Sequence, residues 1–340
     1  MDTEQELKST VREMVREGKG ILAADESLPT IAKRFAPYGI ESTEESRRSY
    51  RSLLFSTPGI EEYVSGVILF EETLRQRDGE GRLFPEMLSS KGVVPGVKVD
   101  KGAIPLAHSP GDKITEGLDG LAARLGQYRI EGAKFAKWRE VYVIGAKNPS
   151  EQAVLANAEV LARYAAICQE EGLVPIVEPE VLIDGEHDMA RCLEVTEAVL
   201  HAVFHALGRH KVVLEHILLK PSMVLPGKAF AKKAGPEEVA EATVRVLRRA
   251  VPAAVPSINF LSGGQGPEEA TANLNAMNAL FPGQPWALSF SYGRALQQPA
   301  LAAWAGRSEN AEKMQQAFLK RARLNGFARR GRYLSEMENE

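Results

Sequence analysis

Cysteine is nearly absent from this 340-residue chain: there are two, Cys168 and Cys192, each inside a helix-like stretch. Two thiols so placed make no disulfide framework, which excludes the small stapled secreted domains and fits a reducing compartment. Histidine is scarce as well. His201 and His205 stand at i, i+4 spacing, but no third ligand accompanies them, so they read as a helix face and no metal set is expected. No apolar run reaches the length of a membrane span. The N-terminal stretch to Gly18 is charged and amphipathic, without the apolar core of a secretory signal. A cytoplasmic protein is expected, or a plastid one from which a transit peptide has been removed. Charge of one sign is not in excess either: 42 Lys+Arg against 45 Asp+Glu leave −3. That removes the broad basic field by which a protein holds nucleic acid.

What is present is ordinary globular composition, 44% hydrophobic and 26% charged, enough for one large domain or two medium ones. Residues 4–17 read as an amphipathic helix, with Leu7, Val11, Met14 and Val15 on one side and Gly18 as its stop. Short apolar runs follow at 20–25, 64–70, 93–100, 133–142, 173–177, 214–220, 254–261 and 286–291. Helical patterns alternate with them, one opened by a Ser42-x-x-Glu45 capping box and one by Pro236. Eight strands alternating with helices, with no linker between units, predict a (β/α)8 TIM barrel. An open doubly wound sheet is the alternative, but it would more usually carry a Gly-rich dinucleotide fingerprint after the first strand. The barrel is expected to fill residues 1–328 as a single domain with its N-terminal helix, and 329–340 to form a polar tail.

In such a barrel, functional side chains gather at the C-terminal ends of the strands. Asp25 closes the first run, Lys98 and Asp100 the third, Glu178 and Glu180 the fifth, Lys220 the sixth and Ser262 the seventh. Lys137 and Arg139 lie two apart in the fourth and share one face, and Arg294 follows the eighth. Burying so many ionisable groups at one rim is costly without a purpose. The bland alternative is a set of structural ion pairs plugging the barrel top. The key stretch is Leu218-Leu219-Lys220-Pro221. A lysine at the mouth of a buried strand is partly desolvated, which disfavours its ammonium form and makes the amine a nucleophile toward carbonyls. Lys137, approaching across the mouth, would add to that effect. Glu178 is placed to shuttle protons and Asp25 to take one from a substrate hydroxyl. Ser262-Gly263-Gly264 and Gly293-Arg294 combine helix-start N–H groups with a guanidinium fork, as a phosphate site needs. Arg34, Lys98 and Arg139 form a second cationic group for a second phosphate.

With those residues in view, the chain resembles the class I, Schiff-base fructose-bisphosphate aldolases. The resemblance rests on Gly20-Ile21-Leu22-Ala23-Ala24-Asp25-Glu26-Ser27, Gly66-Val67-Ile68-Leu69-Phe70, Lys98-Val99-Asp100-Lys101-Gly102, Phe135-Ala136-Lys137-Trp138-Arg139, Val177-Glu178-Pro179-Glu180, Leu218-Leu219-Lys220-Pro221, Phe260-Leu261-Ser262-Gly263-Gly264-Gln265 and Ser291-Tyr292-Gly293-Arg294. These stand in the family's order from about residue 5 to 330. The resemblance implies reversible, metal-independent cleavage of fructose 1,6-bisphosphate, in glycolysis and gluconeogenesis, by a homotetramer without cofactor. It assigns the Schiff base to Lys220, proton transfer around it to Glu178, carbinolamine chemistry to Lys137, carbon–carbon cleavage to Asp25 and orientation of the lysines to Glu180. Ser262, Gly263 and Arg294 are implied for the ketone-side phosphate, and Arg34, Lys98 and Arg139 for the other. Thr30 stands where many members carry a serine, its hydroxyl still able to meet phosphate. The chain ends Met337-Glu338-Asn339-Glu340, without the terminal tyrosine by which members favour the bisphosphate. A broader substrate range (sedoheptulose bisphosphate or fructose 1-phosphate) is therefore one alternative, and a scaffold that binds anionic partners is another.

Overall fold

Residues 3–340 are described by the computed structural model; residues 1 and 2 of the expected domain lie outside the described residues. The strands are β1 (Gly20–Ala24), β2 (Val64–Leu69), β3 (Val94–Lys98), β4 (Gly102–Pro105), β5 (Lys113–Glu116), β6 (Phe135–Tyr142), β7 (Val174–Val181), β8 (Leu218–Leu219), β9 (Ser257–Phe260) and β10 (Ala287–Tyr292); all but β4 and β5 fall on the apolar runs. Helices α1 (Thr3–Met14), α2 (Leu28–Phe35), α3 (Glu44–Ser56), α4 (Glu71–Leu74), α5 (Phe84–Ser90) and α6 (Leu121–Ile130) belong to the first half. The second half adds α7 (Glu151–Glu170), α8 (Met189–Arg209), α9 (Pro236–Ala250), α10 (Pro267–Leu280), α11 (Arg294–Trp304) and α12 (Ala311–Arg329). The strands close in the order β1-β10-β9-β8-β7-β6-β3-β2, every pairing parallel. This is the (β/α)8 TIM barrel that the sequence predicts, not an open sheet.

Because strand side chains alternate, each strand has an inner and an outer set. Leu22, Val67, Val97, Trp138, Val177, Leu219, Ile258 and Phe290 face the helices and form the large core between barrel and helices. Ile21, Ile68, Val94, Phe135, Val174, Ile176 and Leu218 face inward and pack on one another. The same inner cluster takes in Leu7, Val11 and Met14, so α1 closes the barrel's N-terminal end with the apolar face read from its sequence. Gly96 is required here: a Cβ would stand 2.3 Å from the Phe135 ring. The barrel thus has a filled apolar floor, and polar groups have room only at the opposite end.

Two expectations are corrected, and one element is added. The N-cap of α3 is Thr43, not Ser42: Thr43 Oγ1 accepts from Ser46 N at 3.1 Å and Ser46 Oγ accepts from Thr43 N at 3.0 Å. Glu45 instead turns to Arg48, 2.6 Å away. The sixth run is mostly not strand: residues 214–216 form a 3-10 turn and only Leu218–Leu219 pair. Lys220 still continues the barrel, its N–H donating to Val177 O at 2.8 Å. Finally, β4 and β5 make an antiparallel hairpin outside the barrel that the sequence reading had not marked. Downstream, the chain beyond α12 folds back. Glu338 accepts from Arg321 Nη1 at 2.5 Å and from the Tyr333 hydroxyl at 2.9 Å.

Candidate active site

The C-terminal ends of the strands surround a cavity of about 790 Å³. Its lining includes every residue named from the sequence as catalytic or phosphate-binding: Asp25, Thr30, Arg34, Lys98, Lys137, Arg139, Glu178, Glu180, Lys220, Ser262, Gly263 and Arg294. Two residues further along the strands than the apolar floor, the inner face changes character. Phe135 is followed on its face by Lys137 and Arg139, Ile176 by Glu178 and Glu180, and Leu218 by Lys220.

The centre of the arrangement is Glu178. Its Oε1 lies 3.0 Å from Lys220 Nζ and its Oε2 3.0 Å from Lys137 Nζ. Lys137 Nζ is also 2.7 Å from Asp25 Oδ2. Glu178, Lys220 and Lys137 are nearly removed from solvent, at 3%, 3% and 4% exposure, and Asp25 is partly buried. Lys137 does approach Lys220 across the mouth, with the Glu178 carboxylate between the two amines. Burial acts against the charge of Lys137, but Asp25, Glu178 and Asp100 outweigh it and raise its pKa well above the usual lysine range. Burial likewise opposes ionisation of Asp25 and Glu178, yet Lys137 and Lys220 hold both carboxyls below their ordinary values. Lys137 is thus an ammonium ion between two carboxylates.

Around this centre, Arg139 Nε donates to Glu180 Oε2. Lys98 Nζ pairs with Asp100 Oδ1 at 2.8 Å. The opposite wall is the loop after β9, where Gly263 and Gly264 take φ of +49° and +90°, the left-handed region that favours glycine. Gln265 N donates to Ser262 O at 2.9 Å, and the Gln265 side chain is itself held by Asn273 Nδ2 at 2.8 Å. Arg294 Nη2 reaches the Gln265 carbonyl at 3.4 Å. Arg34 stands on this side: a Cβ on Gly293 would lie 3.7 Å from its Nη2. The cationic pair Lys98 and Arg139 comes from β3 and β6. Thr30 Oγ1 lies 3.0 Å from Ser27 Oγ at the rim.

The chemistry of such a mouth is that of an amine beside a proton-transfer carboxylate, with cations and backbone donors on two walls. The sequence compared with a family model described as fructose-bisphosphate aldolase class-I matches it over residues 6–340. The chain belongs to the class I fructose-bisphosphate aldolase family. Relatives agree. It is 56% identical to the cytosolic fructose-bisphosphate aldolase 4 of Arabidopsis thaliana, covering 94% of this chain and 82% of that one. It is 56% identical to the fructose-bisphosphate aldolase of Drosophila melanogaster, covering 98% and 92%. Among solved structures, an aldolase from Plasmodium falciparum superposes with a TM-score of 0.96 at 49% identity, covering 98% of this chain and 96% of that one.

Several residues of this aldolase site escaped the sequence reading. Glu26 is 7% exposed and accepts from Gln297 Nε2 at 2.8 Å and from Arg34. Arg51 Nη2 donates to the Glu26 carbonyl at 2.9 Å, so a buried network fixes the end of β1 beside Asp25. Lys33, Lys101 and Ser291 also line the cavity. The adjacency of Glu26 to Asp25 was the available signal, but alternation points Glu26 away from the barrel axis.

Proposed function

We propose that Lys220 forms an imine with the ketone of fructose 1,6-bisphosphate and that the surrounding groups carry the family's cleavage to dihydroxyacetone phosphate and glyceraldehyde 3-phosphate. One observation supports this reading above the others: Glu178 contacts both Lys220 and Lys137 at 3.0 Å. The Lys220 nitrogen needs a free lone pair to attack, and Glu178 Oε1 is the base within reach of its proton. Attack on the ketone carbon gives a carbinolamine. A proton delivered through Glu178, with Lys137 ammonium beside it, lets the hydroxyl leave as water and leaves an iminium.

Asp25 then takes the proton of the hydroxyl on the far carbon of the breaking bond, the carbon not attached to the iminium carbon. That carbon becomes the aldehyde as the carbon–carbon bond opens. The bonding pair moves into the iminium, giving an enamine at Lys220. Protonation of the enamine carbon and addition of water release dihydroxyacetone phosphate and restore the amine. The protonated nitrogen is the electron sink, so the reading is metal-independent and needs no cofactor. Ser262, Gly263 and Arg294 hold the ketone-side phosphate. Lys98 and Arg139 hold the other, Thr30 meets phosphate at the rim, and Arg34 spans toward the first group. Glu180, expected to orient the lysines, contacts Arg139 instead and holds that guanidinium in the cavity wall.

The reaction belongs to glycolysis and gluconeogenesis. A 1-phosphate or sedoheptulose preference is not favoured over fructose 1,6-bisphosphate, the substrate in the names of the relatives, and neither is a scaffold role. The protein acts as a homotetramer in the cytoplasm, the compartment named for the cytosolic relatives from Arabidopsis thaliana; light scattering and fractionation test those two statements. A single barrel domain over 1–328 carries the whole site, with 329–340 packed outside it. Borohydride trapping with dihydroxyacetone phosphate, in the presence of a chelator, tests the chemistry. A reduced adduct mapped to Lys220 is expected. A folded, phosphate-binding sample without adduct would overturn the reading.

A further inference from the structure

Glu140 is a buried carboxyl that this reaction does not use. It sits on β6 with 0% exposure, on the strand face opposite Lys137 and Arg139. Trp138 and Tyr142 share that outward face and belong to the core between barrel and helices. No lysine or arginine pairs with Glu140 among the described residues. Its two oxygens instead meet two N–H donors: Trp138 Nε1 donates to Oε1 at 2.8 Å, and the Thr115 backbone N–H donates to Oε2 at 3.1 Å. Thr115 is on β5, and its hydroxyl donates to the Arg139 carbonyl at 2.8 Å. The same hairpin contributes Gly102, Ala103 and Thr115 to the lining of the active-site cavity. Its base rests on the Trp138 ring, since a Cβ at Gly117 would lie 3.2 Å from Trp138 Cη2.

We propose that Glu140 is a positioning residue for catalysis: as a carboxylate it pins the β4–β5 hairpin to β6 and so fixes the cavity wall beside Arg139. The two contacts favour the carboxylate, whose oxygens both accept more strongly than those of the neutral acid. A carboxylate offers an acceptor to each donor, whereas a carboxylic acid turns one oxygen into a hydroxyl and sets a proton against one of the two N–H groups. Burial pushes the Glu140 carboxyl up to about 8, against the pull of the Trp138 and Thr115 donors and with Asp100 adding to the rise. The other ionisable groups on the packed elements are Lys98 on β3, Lys113 and Glu116 on β5, Lys137, Arg139 and Tyr142 on β6, Glu178 and Glu180 on the inner face of β7, and Glu151, Glu159, Arg163, Tyr164, Cys168 and Glu170 on α7. None of them makes a salt bridge to Glu140 among the described residues. The tether therefore tightens as pH rises through about 8, and the wall that carries Arg139 tightens with it.

The kinetic part of this inference rests on the aldolase reading, but the structural part does not. Hydrogen exchange of the peptide 102–116, corrected for intrinsic rates, is to be followed from about pH 6.5 to 9.5 in the native chain and in Glu140→Gln. Protection at Thr115 should grow through the titration in the native chain, and should be lower and flat in the variant. KM for fructose 1,6-bisphosphate above the transition should rise about tenfold in Glu140→Gln, the scale of one lost charge-assisted hydrogen bond, with kcat changed less. Thr115→Val removes only the bond to the Arg139 carbonyl; it should raise KM while keeping the pH dependence of exchange. Native protection that is flat across the range, or a Glu140→Gln variant that matches the native chain, overturns the proposal. If Glu140→Gln does not fold, the native pH series alone decides. A failure of the aldolase chemistry would leave the exchange result untouched.

Discussion

The two halves of the barrel interior lie on the same strands and differ sharply in chemistry. Around the floor, Ile21, Ile68, Val94, Phe135, Val174, Ile176 and Leu218 pack with the face of α1. One pleat further along the same strands, roughly 6–7 Å away, stand Asp25, Lys137, Glu178 and Lys220. Lys137, Glu178 and Lys220 are buried as fully as the floor, and Asp25 is somewhat more open. In the floor, burial is itself the stabilising act, because apolar surface leaves water. In the mouth, burial opposes every charge, and only the shared ion pairs offset it; such pairs are weak contributors to stability. The floor therefore holds the barrel closed, and the mouth uses that rigidity to keep opposed charges in place for chemistry. Substitutions should separate these roles cleanly.

The largest effect expected is on activity in the mouth. Lys220→Met keeps the length and apolar stem of the side chain and removes the nucleophile. Cleavage should fall by roughly 10⁶, the scale seen when a covalent nucleophile is lost, while Glu178 retains Lys137 as its counter-ion. Urea midpoints should stay level or rise. A variant that loses stability in step with activity would break the division of labour.

The converse belongs to the floor. Phe135→Ala empties the space against Gly96 and Gly66, whose missing Cβ atoms the Phe135 ring now fills at 2.3 Å and 3.4 Å. The expected loss is about 3–5 kcal/mol, read as a lower denaturation midpoint. The KM of the folded fraction should be unchanged, although Lys137 is only two residues away. A raised KM at unchanged stability would mean that floor and mouth are not separable.

How far this contrast was legible in the sequence depends on reach. Alternation along each strand put Phe135 with Lys137 and Ile176 with Glu178 on one face, which is why the barrel and its charged rim were readable. The shared carboxylate was not. Which oxygen meets which lysine depends on how β6, β7 and β8 are staggered around the barrel, and β8 is so short that its sequence run overstated it. The hairpin was missed because β4 is exposed along most of its length and ends at Pro105, leaving no apolar period to follow. For the α3 cap, Ser42-x-x-Glu45 and Thr43-x-x-Ser46 are rival frames one residue apart, and only the reciprocal bonds of Thr43 and Ser46 choose between them. Glu140 went unread because its partners, the Trp138 ring and the Thr115 N–H of the unmarked hairpin, come together only in the folded barrel.

Acid should distinguish the two halves by a smaller amount. Asp25 and Glu178 have folded pKa values below their ordinary ones, after Lys137 and Lys220 overcome the opposing effect of burial. A depressed carboxyl contributes stability that is present above its unfolded value, near about 4, and lost as pH falls through its folded value. The native chain should therefore lose stability below about pH 4 in excess of its surface carboxylates, and Lys137→Met should reduce that excess. Floor variants should keep it in full. Urea midpoints from neutral pH downward measure the difference; parallel curves for the native chain and Lys137→Met would remove the mouth from the account of acid unfolding.

The smallest effect is a comparison within a single strand. Ser289 and Ser291 both point inward from β10 and are equally buried, at 0% and 1% exposure. Ser289 Oγ donates to the Lys19 carbonyl at 2.9 Å, near the floor. Ser291 Oγ lines the cavity and has no protein partner among the described residues. A satisfied hydroxyl contributes about 1 kcal/mol, while a buried unsatisfied one is a liability. Ser289→Ala should thus lower stability by about 1 kcal/mol and leave kcat/KM alone. Ser291→Ala should leave stability unchanged or slightly raised, and lower kcat/KM because the hydroxyl is free for substrate. Equal stability losses for the two serines would mean that Ser291 is held by the fold after all. A silent Ser291→Ala in both assays would confine the catalytic mouth to its charged groups.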